Sequence, residues 1–102
     1  MSEQAIEQEI QDKGLIAPRL TPDLINGVIV DKQFHIFEGT CLTVCCLLLR
    51  NGFPLIGESA CVSPTNFDKE LGEKIAFENA RDKIWILEGY LLKQKLYESG
   101  KE

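Results

Sequence analysis

The sequence has no hydrophobic run that approaches the roughly 20 residues needed to cross a membrane. Its acidic start, MSEQAIEQEIQD, lacks the basic flank and apolar centre of a signal peptide. We therefore expect a cytoplasmic protein without a membrane partner. Basic residues are outnumbered, eleven against sixteen acids, and the resulting net charge of −5 opposes binding to duplex nucleic acid.

The sequence is also poor in metal-binding side chains, since one histidine, His35, accompanies four cysteines. A Cys/His zinc site needs four ligands at turn-like spacings, and the C-x-x-x-C-C pattern of Cys41, Cys45 and Cys46 lies inside an apolar run. Alternation along a strand would place Cys41 and Cys45 on one face and Cys46 on the other. We therefore expect all four cysteines, including Cys61, to be reduced thiols, with no metal and no cofactor.

Motifs of the common enzyme classes are missing as well. The glycines form neither G-x-G-x-x-G nor a P-loop, and no local pattern brings His35 to a cysteine nucleophile. Carboxylate pairs such as Glu70 and Glu73 lie where a helix start would use them for capping and for its dipole. We expect a protein that is not an enzyme.

At 102 residues, the chain has the length of a single domain. Its predicted elements, helices at both ends and strands between them, place it in the α+β class. Residues 1–37 are interpreted as an N-terminal helical arm, with one helix over residues 3–13 ending at Gly14. Thr21 and Pro22 combine a hydroxyl N-cap with proline in the first turn, which predicts a second short helix. An extended path from Val28 to Phe37 remains the alternative for the end of the arm.

The middle of the chain predicts an antiparallel β-hairpin over about residues 40–62, within a segment 38–62. TCLTVCCLLL is apolar at nearly every position, so both faces of that strand need cover. Asn51-Gly52 favours a type I′ turn, in which both residues take positive φ, and FPLIGESACV returns as the partner strand. Thr65 with Asp68, or Asn66 itself, would then cap the helix that follows.

Segment 63–98 predicts a long C-terminal helix over about residues 67–97. At ~1.5 Å per residue it would approach 45 Å, far longer than the core of so small a chain. Trp85, Ile86, Tyr90 and Leu92 add apolar surface around its second half and are the predicted interface residues. We expect a homo-oligomer, at least a dimer; the alternative is that residues 1–37 wrap the helix and hairpin within one chain.

A small-ligand site is predicted where the returning strand meets the long helix. Hydroxyl and amide groups collect beside a helix N-terminus, whose backbone N–H groups favour a phosphate. Asn79 and Lys83 lie four residues apart on the same helix and could face the same site. The alternative for each residue is plain capping, hydrogen bonding or solvation. The candidate ligand-binding residues are Ser59, Ser63, Thr65, Asn66, Asn79 and Lys83.

The phrases NGF, SAC-V-P, NFD and IW-LEGYLL, within about residues 40–92, resemble a family of small tailed-phage proteins. That family is catalogued as gene products 49 and 66 of two enterobacterial phages. The resemblance implies an accessory protein in the cytoplasm of an infected or lysogenic bacterium, and it carries over no catalytic residues. We expect a non-catalytic role in counter-defence or host takeover, by sequestering a cyclic nucleotide or ADP-ribose-type immune signal. Two alternatives are binding of a host protein through the apolar helix surface and, less favoured, hydrolysis of such a signal.

Overall fold

The computed structural model describes residues 2–100, which form an α+β fold of three strands and three α-helices. Along the chain these are α1 (Glu3–Asp12), α2 (Pro22–Gly27), β1 (Ile29–Ile36), β2 (Thr43–Leu49), β3 (Pro54–Ser59) and α3 (Lys69–Glu98). A 3₁₀ turn, Pro64–Asn66, precedes α3. The predicted N-terminal helices, hairpin and long C-terminal helix are all present.

The sheet has three antiparallel strands in the order β1-β2-β3, one more than the predicted hairpin. The hairpin itself is confirmed, with Thr43 opposite Ser59 and Leu48 opposite Pro54. β1 pairs with the other edge of β2, so the segment after α2 follows the extended alternative instead of continuing the helical arm. This pairing gives the apolar β2 a neighbour on each side and makes it the central strand.

The hairpin turn forms at Asn51-Gly52, but the prediction of a type I′ turn was wrong. Only Gly52 has a positive φ, +89°, whereas Asn51 does not. The Gly52 amide donates to the Leu49 carbonyl at 2.8 Å, and the Phe53 amide donates to the Asn51 side chain at 3.0 Å. The turn therefore spans three residues, 50–52, with glycine at the one left-handed position.

α3 crosses one face of the sheet and closes the hydrophobic core. Ala76, Ala80 and Ile84 are fully buried along this face of the helix. On the sheet they meet Cys45, Leu47 and Leu49 of β2, and α2 adds Ile25. Small residues on the helix allow its backbone to approach the sheet closely, which sets the position of the first turns of α3.

α2 starts at its predicted cap, where the Thr21 hydroxyl accepts from the amide of Leu24. α1 has an N-cap at Ser2, whose hydroxyl accepts from the amide of Ala5. The start of α3 differs from expectation, because Asp68 is its N-cap and neither Thr65 nor Asn66 has that role. Pro64 and its neighbours form the separate 3₁₀ turn first. The chain is then extended at Phe67, and the α-helix starts at Lys69.

Candidate functional site

The connection from β3 to α3 is a tight polar turn. The Ser63 hydroxyl accepts a hydrogen bond from the Thr65 amide at 3.3 Å and so caps the 3₁₀ turn. The Asp68 carboxylate then accepts from the Leu71 amide at 3.0 Å. These two caps reverse the chain direction within a few residues and bring the first turns of α3 beside the end of β3.

A cleft of about 320 Å³ lies between the end of β3, the turn and the start of α3. Its apolar wall comes from Phe67, Leu71 and Ile75, and Gly72 also lines it. The polar side chains in the lining are Cys41, Ser59, Cys61, Asn66, Asp68 and Asn79. The cleft has the size of a small-molecule site, with a mostly apolar wall and a few convergent polar groups.

Side-chain hydrogen bonds fix α3 against β3 along this cleft. The Ser59 hydroxyl donates to the Gly72 carbonyl at 2.9 Å. The Asn79 amide donates to the Glu58 carbonyl at 2.8 Å, and the Lys83 ammonium donates to the Ile56 carbonyl at 2.6 Å. The two helix side chains therefore occupy carbonyls of the edge strand that would otherwise face solvent.

Three of the six predicted ligand-binding residues, Ser59, Asn66 and Asn79, line the cleft. The other three lie elsewhere: Ser63 and Thr65 belong to the 3₁₀ turn, and Lys83 lies at the edge of β3. Ser59 and Asn79 are engaged in hydrogen bonds, whereas the Asn66 side chain makes none within the described residues. Its amide is thus available to a ligand as both donor and acceptor.

A model of the phage protein (N4 Gp49/phage Sf6 gene 66) family matches residues 20–96. The chain belongs to this family. The match covers the sheet, the cleft and most of α3, and it leaves out α1. No curated protein and no solved structure matched the chain. Within residues 2–100, no helix of the phage protein is long and apolar enough to span a membrane.

The electrostatics of the cleft do not favour a phosphate at the helix start. The Asp68 carboxylate already occupies the N-terminus of α3 and adds a negative charge to the lining. No lysine or arginine is among its lining residues. A separate cleft beside α1 is lined by Arg19. Its guanidinium is already paired with both carboxylate oxygens of Glu7, each at 2.8 Å, so it is not free to bind a phosphate.

Two cysteines line the cleft although they were not predicted there, and a buried threonine lies behind one of its lining residues. Cys41 and Cys61 meet in the wall of the cleft, and contact with the Cys61 thiol, followed by burial, raises the pKa of Cys41. The Thr43 hydroxyl is buried without a hydrogen-bond partner in the described chain. It lies behind Gly72, 3.0 Å from where a Cβ of that residue would be. In the sequence, Cys41 and Cys61 can be paired only by assigning β2 and β3 and the antiparallel register between them.

The remaining thiols and the histidine lie away from the cleft. Cys45 is in the core, where burial raises its pKa, and Cys46 is on the opposite face of the sheet. His35 packs edge-on against Phe37, with ring centroids 4.7 Å apart. Among the described residues, no group of three His, Cys, Asp or Glu side chains is arranged to hold a metal ion.

The four predicted interface residues divide between the interior and the surface. Trp85 packs on the core and faces Ile6, Ile10 and Leu20 of the N-terminal arm. Leu92 is half-buried. Ile86 and Tyr90 are 77% and 74% exposed and, with Tyr97 at 68%, form a stripe along the second half of α3.

Proposed function

We propose that this phage protein acts without catalysis, by binding and sequestering a nucleotide-type immune signal in counter-defence. The observation that carries the proposal is the cleft at the start of α3. It combines an aromatic and aliphatic wall with the unengaged amide of Asn66. Such a site can hold a flat ring by apolar contact while an amide and a carboxylate fix its orientation.

The charge of the cleft determines which part of a nucleotide it would take. The Asp68 carboxylate accepts hydrogen bonds and repels phosphates, so it suits the exocyclic amine of a base. Phe67 provides a ring face for stacking. The base would therefore enter the cleft, and the phosphates would point outward to solvent or to a second subunit.

Retention and release of intact ligand test the proposal. The purified protein is incubated with cyclic di- and trinucleotides and cyclic ADP-ribose isomers, and free ligand is measured by mass spectrometry before and after heat denaturation. We expect one ligand class to be depleted and then returned intact. Ligand returned as a product would contradict the non-catalytic mechanism, and the absence of any depletion would contradict sequestration.

Two single substitutions connect the result to the cleft. Asn66→Ala removes an amide that makes no internal hydrogen bond, so the fold should remain intact while affinity falls about tenfold or more. Lys83→Ala is the matched control, because Lys83 lies on the same side of α3 but not in the lining. Equal retention by wild type and Asn66→Ala would show that the ligand binds elsewhere.

Host-protein binding is the second candidate, and the exposed stripe on α3 favours it. Ile86, Tyr90 and Tyr97 lie along one side of a helix and are largely solvent-exposed. Aromatic side chains on such a surface are typical anchors of protein interfaces. A complex with one host protein that is lost on Tyr90→Ser, together with no nucleotide depletion, would support this function over sequestration.

We also propose that the protein is a homo-oligomer that pairs through this stripe. A stable interface buries roughly 800 Å² on each partner, and the second half of α3 exposes Ile86, Tyr90 and Tyr97 on one side. Gly89 and Ala80 are small residues of α3 at which a second helix would be able to approach closely. They do not form this contact, because Gly89 faces Leu20 and Ala80 is buried on the sheet. A second subunit could add basic side chains near the mouth of the cleft, where the bound phosphates would emerge.

A further inference from the structure

Cys41 and Cys61 are brought together by the register of the β2–β3 hairpin. Thr43 lies opposite Ser59 and Val44 opposite Glu58, so paired residue numbers sum to the same value throughout the ladder. Continuing this register two residues beyond the strands places Cys41 opposite Cys61. Directly opposed residues of antiparallel strands have Cβ atoms about 4.5–5.5 Å apart, close to what a disulfide needs.

Both thiols are accessible from two sides. They line the candidate cleft and also a neighbouring cleft of about 400 Å³ formed with Gly39, Thr40 and Val62. The Cys61 thiol donates a weak hydrogen bond to the Ser63 carbonyl at 3.2 Å. Both side chains are half-buried, so a small reagent can reach the sulfur atoms.

We propose that Cys41 and Cys61 are a thiol–disulfide switch that a low-molecular-weight disulfide oxidises. The Cys61 thiol loses its proton, and its sulfur attacks one sulfur of the small disulfide and breaks the S–S bond. The expelled thiolate takes up the proton and leaves as one thiol. The Cys41 thiol then loses its proton and attacks the Cys61 sulfur, which releases the second thiol. The protein gives up two electrons and two protons, and the small disulfide becomes two thiols.

The environment of Cys41 favours this order. Its pKa is raised, first by contact with the Cys61 thiol and then by burial, which disfavours Cys41 as the first thiol to attack. Neither of the other cysteines competes for Cys61. Cys45 is buried in the core and Cys46 lies on the opposite face of the sheet.

The new bond would fix the end of the hairpin next to the cleft. It joins the segment before β2 to the segment after β3, and the latter leads directly to Asn66 and Asp68. Closing a loop of about 20 residues should raise Tm on the order of 10 °C through the chain entropy of the unfolded state. The redox state would thus control the rigidity of the turn that carries the rim of the cleft.

The test uses the full chain and glutathione disulfide. After oxidation, free thiols are blocked with N-ethylmaleimide in denaturant, and the protein is digested with trypsin without reduction. Cleavage after Lys32, Arg50 and Lys69 separates residues 33–50, which contain Cys41, from residues 51–69, which contain Cys61. We expect these two peptides to be joined, with fragment ions that assign the bond to Cys41, and the predicted rise in Tm.

Two variants serve as controls. Cys61→Ser should form no cross-link and show no rise in Tm, whereas Cys46→Ser should behave like the wild type in both measurements. A cross-link assigned to Cys45 or Cys46 would overturn the proposal. So would glutathione adducts on Cys41 or Cys61 without a joined peptide.

Discussion

Gly57 is the residue on which the close packing of α3 against the sheet depends. A Cβ at this position would lie 2.2 Å from the backbone nitrogen of Ala80 and 2.6 Å from the carbonyl oxygen of Ala76. Both obstacles are helix backbone, which cannot rotate away as a side chain can. The glycine in β3 therefore sets the distance between helix and sheet, and with it the depth of the adjacent cleft.

Gly57→Ala should destabilise the protein by about 3 kcal/mol, because α3 would have to move away from its packed position. Urea unfolding followed by circular dichroism measures this loss. Gly27→Ala is the matched control, since a Cβ there meets nothing within 4 Å and the residue ends α2. Its effect should stay within about 1 kcal/mol. A Gly57→Ala midpoint equal to that of the wild type would refute this account of the packing.

At the scale of elements, α1 is held to the fold chiefly by ion pairs. None of its residues is buried. Glu3 pairs with both terminal nitrogens of Arg81 in α3 at 2.8 and 2.9 Å, and Glu7 pairs with Arg19. Arg81 is itself buried and also donates to Asn26. The arm covers Trp85, the only tryptophan in the chain, so its docking can be followed optically.

Acid should release α1 between about pH 4.5 and pH 2. The two hydrogen bonds from Arg19, helped by Gln11, lower the pKa of Glu7 to about 2 from its ordinary 4.5. A lowered folded-state pKa means that the stabilisation is complete above pH 4.5 and is lost as the pH falls through 2. Trp85 fluorescence should shift to longer wavelength over this range as water reaches the ring.

Arg19→Gln is the control for this assignment, because it removes the cation that keeps Glu7 ionised. The midpoint of the fluorescence change should then move to higher pH, towards the ordinary value of a glutamate. An identical midpoint in the variant would show that other carboxylates govern the release of the arm.

The sequence predicted those elements whose signals are local. The cap at Thr21 and the hairpin turn at Gly52 each depend on a few adjacent residues, and the helical spacing of α3 depends on apolar residues three and four positions apart. Strand β1 was harder to predict from the sequence. The segment after Gly27 has both helical spacing and β-branched residues, and pairing with β2 decides in favour of the strand. The site was predicted in part for the same reason. Asn66 and Asn79 follow from their positions beside and on α3, whereas Cys41 and Cys61 enter the cleft through the register of the sheet.

At the scale of the whole molecule, the chain is elongated. Its radius of gyration is 16.8 Å, against about 13 Å for a compact chain of this length, and its longest dimension is 53 Å. α3 accounts for most of this length, since 30 residues of helix span about 45 Å, and its second half presents Ile86, Tyr90 and Tyr97. An acidic protein with one long, partly apolar helix is suited to pairing along that helix.

Light scattering at micromolar concentration should therefore give a mass of at least twice the 11.5 kDa of one chain. Ile86→Asp should return the mass to that of a single chain, since a charge would be buried in the paired stripe. Val62→Asp is the matched control, because Val62 is exposed as well but lies near the cleft and not on α3. A single-chain mass for the wild type would contradict the homo-oligomer, and the exposed stripe would then be free to bind a host protein.

The most direct test of the central claim is an amide-correlation spectrum of the labelled protein with and without small-molecule extract of bacteria whose defence signalling is active. The extract is filtered to exclude macromolecules. We predict shifts confined to the cleft, at Gly72 and at the side-chain amides of Asn66 and Asn79, and their loss in Asn66→Ala. Shifts confined to Ile86, Tyr90 and Tyr97, or none at all, would contradict a ligand site at the start of α3.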